Sequence, residues 1–85
     1  MPKSVFTDAY ASLLEVLVDL RKQQGLTQVE LSRRLGKPQP FISYVERGER
    51  RVDVIEFYAI VRALRADPVE VFEGLVRRLP KRVEI

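Results

Sequence analysis

The chain has 85 residues, 46% of them hydrophobic, and a formal net charge of +3. That size supports one modest core and a single domain over residues 1–85, and the hydrophobic content argues against a disordered chain. There is no cysteine and no histidine, which excludes a disulfide framework, thiolate metal sites and histidine-based acid–base or triad chemistry.

The opening MPKSVFTDAY lacks the apolar core of a signal peptide, and no later stretch is long enough to span a bilayer. The expectation is a cytoplasmic protein without a membrane partner. Charge is unevenly spread: residues 1–20 sum to −2, residues 21–51 to +5 and residues 52–85 to zero. A basic middle third reads either as a solvated face or as the footprint of a polyanion.

In chain order, the first predicted helix covers residues 7–24, from Thr7 to Gln24. Tyr10, Leu13, Leu14, Leu17 and Leu20 recur at spacings of three and four and make one apolar stripe. Gly25 then ends the helix as a C-terminal cap residue. TQVE places Thr27 three residues before Glu30, a capping box that opens a helix over 28–35. A short helix over 39–47 fits between Gly36 and Gly48. DVIE (Asp53, Glu56) opens a helix over 53–65. DPVE (Asp67, Glu70), with Pro68 at the first helical position, opens one over 68–79. Five helices with short connections and no strand signal define an all-α fold.

The segment GKPQPFISYVERG, residues 36–48, carries the functional signal. With Ile42 set at zero on a helical wheel, Val45 and Phe41 fall within about 100° on one side. Gln39, Ser43, Arg47, Pro40 and Tyr44 fall between about 60° and about 200°, and Glu46 sits at the seam near about 40°. The outer arc holds hydrogen-bonding groups, a guanidinium and a phenol, with no carboxylate. Pro38 and Pro40 suit a helix start, where the first N–H groups have no intrahelical partner. The register stays open: the cap is Pro38, or it is Gln39 with Pro40 at the first helical position. The helices over 28–35 and 39–47, joined around Gly36, form a helix-turn-helix arrangement over about residues 27–48. Ser32 is small where they cross, and Leu31, Leu35, Ile42 and Val45 point into the core.

These residues resemble the Cro/repressor-type, or XRE, helix-turn-helix family. The resemblance spans about residues 10–76 and rests on LTQ at 26–28, EL at 30–31, LG at 35–36, Gln39, IS at 42–43, ERG at 46–48 and AL at 63–64. It implies a five-helix lambda-repressor-like domain that binds double-stranded DNA sequence-specifically, usually as a homodimer regulating transcription. By position, Gln28 would meet a phosphate, and Gln39, Pro40, Ser43 and Tyr44 hold the base-facing positions. Glu46 matches a family acidic residue, for which Arg21 is the expected partner. Ser32 stands where alanine is commoner, Pro38 stands where serine or threonine often caps, and Pro40 removes a side chain that could hydrogen-bond to a base.

A bidentate Gln39 can read adenine, and Pro40 and the Tyr44 ring can meet a thymine methyl, each good bidentate contact being worth about 1–3 kcal/mol of discrimination. The plainer roles for Gln39, Ser43 and Tyr44 are capping, solvent exposure and surface packing. Lys37, Arg47, Arg50 and Arg51 cluster around the ends of the short helix as candidate phosphate contacts. Arg33 and Arg34 read more simply as solubilising charge. In the last helix, Val71, Phe72, Leu75, Val76 and Leu79 make an apolar face too broad for one small core. This makes residues 68–79 a candidate dimerisation element, which the tail at residues 80–85 extends or leaves free.

The leading expectation is a homodimeric repressor that needs no cofactor or metal. Two others stand beside it: the antitoxin of a toxin–antitoxin pair, with a toxin as protein partner, and an interaction module that has lost DNA binding. An enzyme is disfavoured, because there is no glycine-rich phosphate loop and the carboxylates serve as caps and helix-surface charges.

Overall fold

The computed structural model describes residues 8–85. Among these residues five helices and no strand are present: α1 (Asp8–Gln23), α2 (Gln28–Arg34), α3 (Phe41–Glu46), α4 (Val54–Ala63) and α5 (Pro68–Arg78). Thr7, the expected first residue of the first helix, lies outside the described residues. α1 packs on α3 and α5, α2 packs on α3 and α4, and α4 packs on α5.

The predicted apolar stripe of α1 is the one that is buried. Tyr10, Leu14 and Leu17 join Leu31, Phe41, Ile42, Val45, Phe57, Ile60, Val61 and Leu64 in one core, with Leu13, Leu20, Leu26, Leu35 and Val71 packed against it. Three elements supply both caps and core. Thr27 Oγ1 accepts from the Glu30 N–H at 3.0 Å and the Glu30 carboxylate accepts from the Thr27 N–H at 2.9 Å. Asp53 and Glu56 make the same reciprocal pair at 2.7 and 3.0 Å. Asp67 caps differently, accepting from the Val69 N–H at 3.0 Å. Each cap satisfies donors that the first turn of a helix leaves orphaned.

α3 is shorter than the spacing predicts. It runs Phe41–Glu46, not 39–47, and Pro40 is its N-cap residue rather than its first helical residue. The Pro38 carbonyl accepts from the Phe41 N–H at 3.0 Å, so residues 38–41 form a turn. Gln39 lies inside that turn. Pro40, at φ −86° and ψ 6°, makes no side-chain cap bond.

The first four helices close with one backbone motif. The N–H of the residue after the cap bonds back three residues, and the next N–H bonds back five: Gly25 to Lys22 and Leu26 to Arg21, Gly36 to Arg33 and Lys37 to Ser32, Gly48 to Val45 and Glu49 to Tyr44, Arg65 to Arg62 and Ala66 to Val61. This Schellman closure needs a left-handed residue. Gly36, at φ 67°, meets that need at the helix-turn-helix elbow. After α4 the same place is held by Arg65, at φ 61°, where a Cβ meets steric resistance.

Two substitutions test this backbone account. Arg65→Gly should stabilise the domain by about 1 kcal/mol, because it removes left-handed strain. Gly74 lies inside α5, and a Cβ added there meets nothing within 4 Å; Gly74→Ala should add about 0.5–1 kcal/mol. Thermal melts should rise by about 4–8 °C per kcal/mol. An unchanged or lower melting temperature in either variant would contradict the local backbone reading.

Candidate nucleic-acid interface

α3 divides as the wheel requires. Phe41, Ile42 and Val45 are buried, whereas Tyr44 is 43% exposed and Gln39, Pro40 and Arg47 are exposed. Ser43 is half-buried. Of the four expected base-facing residues three are thus exposed and Ser43 is half-buried, with Gln39 and Pro40 presented by the turn and not by the helix.

The orientation of that surface is set from behind by Glu46. Its carboxylate accepts from Arg21 Nε at 2.6 Å, from Arg21 Nη2 at 3.0 Å and from Gln28 Nε2 at 2.7 Å. Arg21 Nη1 donates to the Leu26 carbonyl at 2.8 Å. The two charged side chains are only 11% and 9% exposed. One ion pair thus ties the end of α1, the start of α2 and the end of α3. Gln28, expected at a phosphate, spends one amide hydrogen on this network, which leaves it the other hydrogen and its carbonyl oxygen.

The cations around α3 differ in how engaged they are. Lys37 lies over the Phe41 ring at 5.4 Å. Arg47 stacks on Tyr44 at 5.1 Å and pairs with Glu49 at 3.3 Å while remaining exposed. Arg51 lies over the Tyr10 ring at 4.6 Å. Arg50 is engaged within the chain. It donates to both oxygens of Glu56, at 2.7 and 3.2 Å, and also covers Phe41 at 5.1 Å. The paired, ring-stacked guanidinium thus tethers the loop to α4. The Asp53 backbone N–H, followed by the Arg50 guanidinium, holds the Glu56 carboxyl below its ordinary pKa.

Two arginines that read alike in sequence separate here. Arg34 donates to the Ala63 carbonyl at 2.9 Å, closing the end of α4. Arg33 instead lines a surface cleft of about 350 Å³ with Val29, Gly36, Lys37 and Gln39. Two cations and an amide therefore share the elbow beside the turn at residues 38–41.

A helix-turn-helix family profile matches residues 17–71. An XRE-family-like protein from Pseudomonas syringae pv. tomato str. DC3000 superposes with a TM-score of 0.79 at 43% identity, covering 85% of this chain and 88% of the other. The chain belongs to the XRE-type helix-turn-helix family. A mutant of the restriction-modification controller protein C.Esp1396I shares the fold, with a TM-score of 0.76, 25% identity and coverage of 91% and 98%. An uncharacterised HTH-type transcriptional regulator, y4dJ of Sinorhizobium fredii (strain NBRC 101917 / NGR234), is 43% identical over 51 residues. That match takes in 60% of this chain and 66% of the relative, just under two thirds of its length. DNA binding and transcription regulation are the properties of this helix-turn-helix family. Among the described residues no cluster of potential metal ligands is present and no helix is long and apolar enough to cross a membrane.

Burial divides the expected dimer face. Leu75 is buried within its own chain, and half-buried Val71 packs against the core. Leu79 is half-buried. Phe72 and Val76, each 49% exposed, do face outward, and the Phe72 ring meets Phe57 edge-on at 6.1 Å. The sequence reading missed Val54, Ile55, Tyr58 and Val69, all more than half exposed. The signal was available, since α4 carries more apolar residues than one inward stripe can use.

The central ion pair makes a stability prediction. Glu46→Ala leaves the Arg21 guanidinium nearly buried and unpaired and should cost about 3–5 kcal/mol, a large share of the about 5–15 kcal/mol typical of domains. Urea unfolding checks this; a loss under about 1 kcal/mol would show that the pair does not hold the three helices together.

Proposed function

We propose that the protein is a homodimeric transcriptional repressor that reads the major groove with α3 and the turn before it. The observation that carries this reading is the exposure of Gln39, Pro40 and Tyr44 beside half-buried Ser43, on α3 and the turn before it, with the cations Lys37 and Arg47 exposed next to them. Gln39 offers the amide pair that matches adenine N6 and N7, and Pro40 and Tyr44 offer apolar surface for a thymine methyl. Lys37, Arg47, Arg51 and the remaining donor of Gln28 contact phosphates, and Arg33 joins them through the elbow cleft. Arg50 contributes only where its pairing with Glu56 opens. The chain acts in the cytoplasm, on DNA, and uses no cofactor.

The second copy docks on the apolar surface that α4 and α5 leave open, with Phe72, Val76 and Val69 from α5 and Ile55 and Tyr58 from α4. So much exposed apolar side chain is unusual for a monomer. A two-fold pair would set its recognition helices about 34 Å apart, one DNA turn.

Binding is tested by titrating the purified protein against the DNA upstream of its own gene and against random duplex, at two salt concentrations. Tight, salt-sensitive preference for the upstream DNA is expected. Gln39→Ala should weaken the specific complex far more than the random one, and Lys37→Ala should weaken both and lower the salt slope by about one unit. No salt-sensitive binding to either duplex would overturn the reading.

Assembly is tested separately by sedimentation. Phe72→Glu and Val76→Glu should convert dimer to monomer while helicity is retained. A dimer that survives both substitutions would place the contact elsewhere.

A further inference from the structure

We infer that Ser32 is the positioning residue of the recognition surface: from inside α2, its hydroxyl supplies the N-terminal cap that α3 cannot make for itself. The inference rests on the reading of α3 as the DNA-facing element and names what holds that element in register.

Three observations lead to it. First, α3 begins without a cap of its own. Pro40 occupies the N-cap position, has no side-chain acceptor and makes no cap bond. The residues before it, Pro38 and Gln39, are committed to a turn in which the Pro38 carbonyl takes the Phe41 N–H. The Ile42 N–H, at the second position of the helix, thus has no local side-chain acceptor, and Ile42 is 1% exposed, so water cannot serve it.

Second, the acceptor comes from ten residues earlier. Ser32 Oγ takes the Ile42 N–H at 3.0 Å. Ser32 is fully buried, so the bond forms in a dry environment where an unpaired donor is costly. An N-cap side chain ordinarily accepts from the second or third N–H of the helix it precedes. Ser32 does this across the helix crossing.

Third, the same residue ends α2. The Ser32 carbonyl accepts from the Leu35 N–H at 3.1 Å and the Lys37 N–H at 3.0 Å, which closes the elbow over Gly36. One residue therefore terminates the first helix of the motif and starts the second. Its hydroxyl sets the rotation of α3 about its own axis relative to α2, at the end where Gln39 and Pro40 face outward. At the opposite end of α3, Glu46 is held by Arg21 and Gln28. The recognition surface is pinned at two points, and Ser32 is the point next to the base-facing turn.

The test compares wild type with Ser32→Ala, which removes the acceptor, and with Ser32→Cys, whose larger sulfur fills the site but accepts hydrogen bonds weakly. Ile60→Val, a buried change in α4, serves as a control for lost stability. The first readout is amide exchange. In the Ser32 variants the Ile42 amide should exchange about tenfold faster relative to the Val45 amide of the same helix. Equal acceleration of both amides would mean only a loss of global stability and would overturn the cap. The second readout is the ratio of specific to random DNA affinity, measured well below the melting temperature. General destabilisation removes active protein equally from both complexes and leaves this ratio unchanged. Ile60→Val should leave it unchanged, and the Ser32 variants should lower it at least about fivefold. An unchanged ratio in the Ser32 variants would overturn the positioning role. If wild-type protein binds neither duplex, the DNA reading fails together with that role, and the exchange comparison still decides the cap.

Discussion

The constraint on which the rest depends is a carboxylate that must be paired. Glu46 stands at the end of α3, almost removed from water, and burial of an unpaired charge is too costly for a domain of this size. Three donors answer it, two from Arg21 and one from Gln28. Because those donors belong to α1 and to the first turn of α2, satisfying one charge fixes three elements against each other. The apolar core behind them is non-directional and tolerates small rotations of a helix. The ion pair does not, and so it sets the angle at which α3 meets the outside.

The other end of α3 is governed by proline chemistry. Pro38 and Pro40 stiffen the entry but remove donors and acceptors that a serine or threonine would bring. The result is a turn followed by six helical residues, too short to be stable alone. α3 persists because the tertiary structure supplies what its sequence withholds: Ser32 Oγ at the start, Glu46 pairing at the end and a buried face of Phe41, Ile42 and Val45 between. Rigidity of this kind means that ordering costs are met in the free protein and would not weaken a complex made through α3.

The electrostatic pattern of the middle third is real, but the net figure conceals a division of labour. Arg21, Arg34 and Arg50 are spent inside the molecule, on Glu46, the Ala63 carbonyl and Glu56. Lys37, Arg33 and Arg47 remain toward the outer face. In sequence Arg21 is already the expected partner of Glu46, but nothing there sets Arg50 apart from Lys37 and Arg47, or Arg34 from Arg33. Only the positions of carboxylates and carbonyls in space separate tethers from surface cations. The same holds for α5, where Val71 and Leu75 turn inward and Phe72 and Val76 outward, although all four belong to one apolar run.

Much of the fold is local physics and was legible without coordinates. The period of Tyr10, Leu14 and Leu17, the capping boxes at Thr27 and Asp53, and the glycines at 25, 36 and 48 are decided by residues within one or two turns of each other. Helix existence, order and approximate ends therefore follow from the chain itself, as does the partition of α3 into a buried and an outer arc. What only the tertiary structure decided are the matters settled by partners far apart in sequence. These are the start of α3 at Phe41, the role of the Ser32 hydroxyl, the engagement of Arg50 and the faces of α5. The physical reason is that a short segment can specify which of its groups need partners, whereas the identity of each partner depends on which other segment arrives beside it.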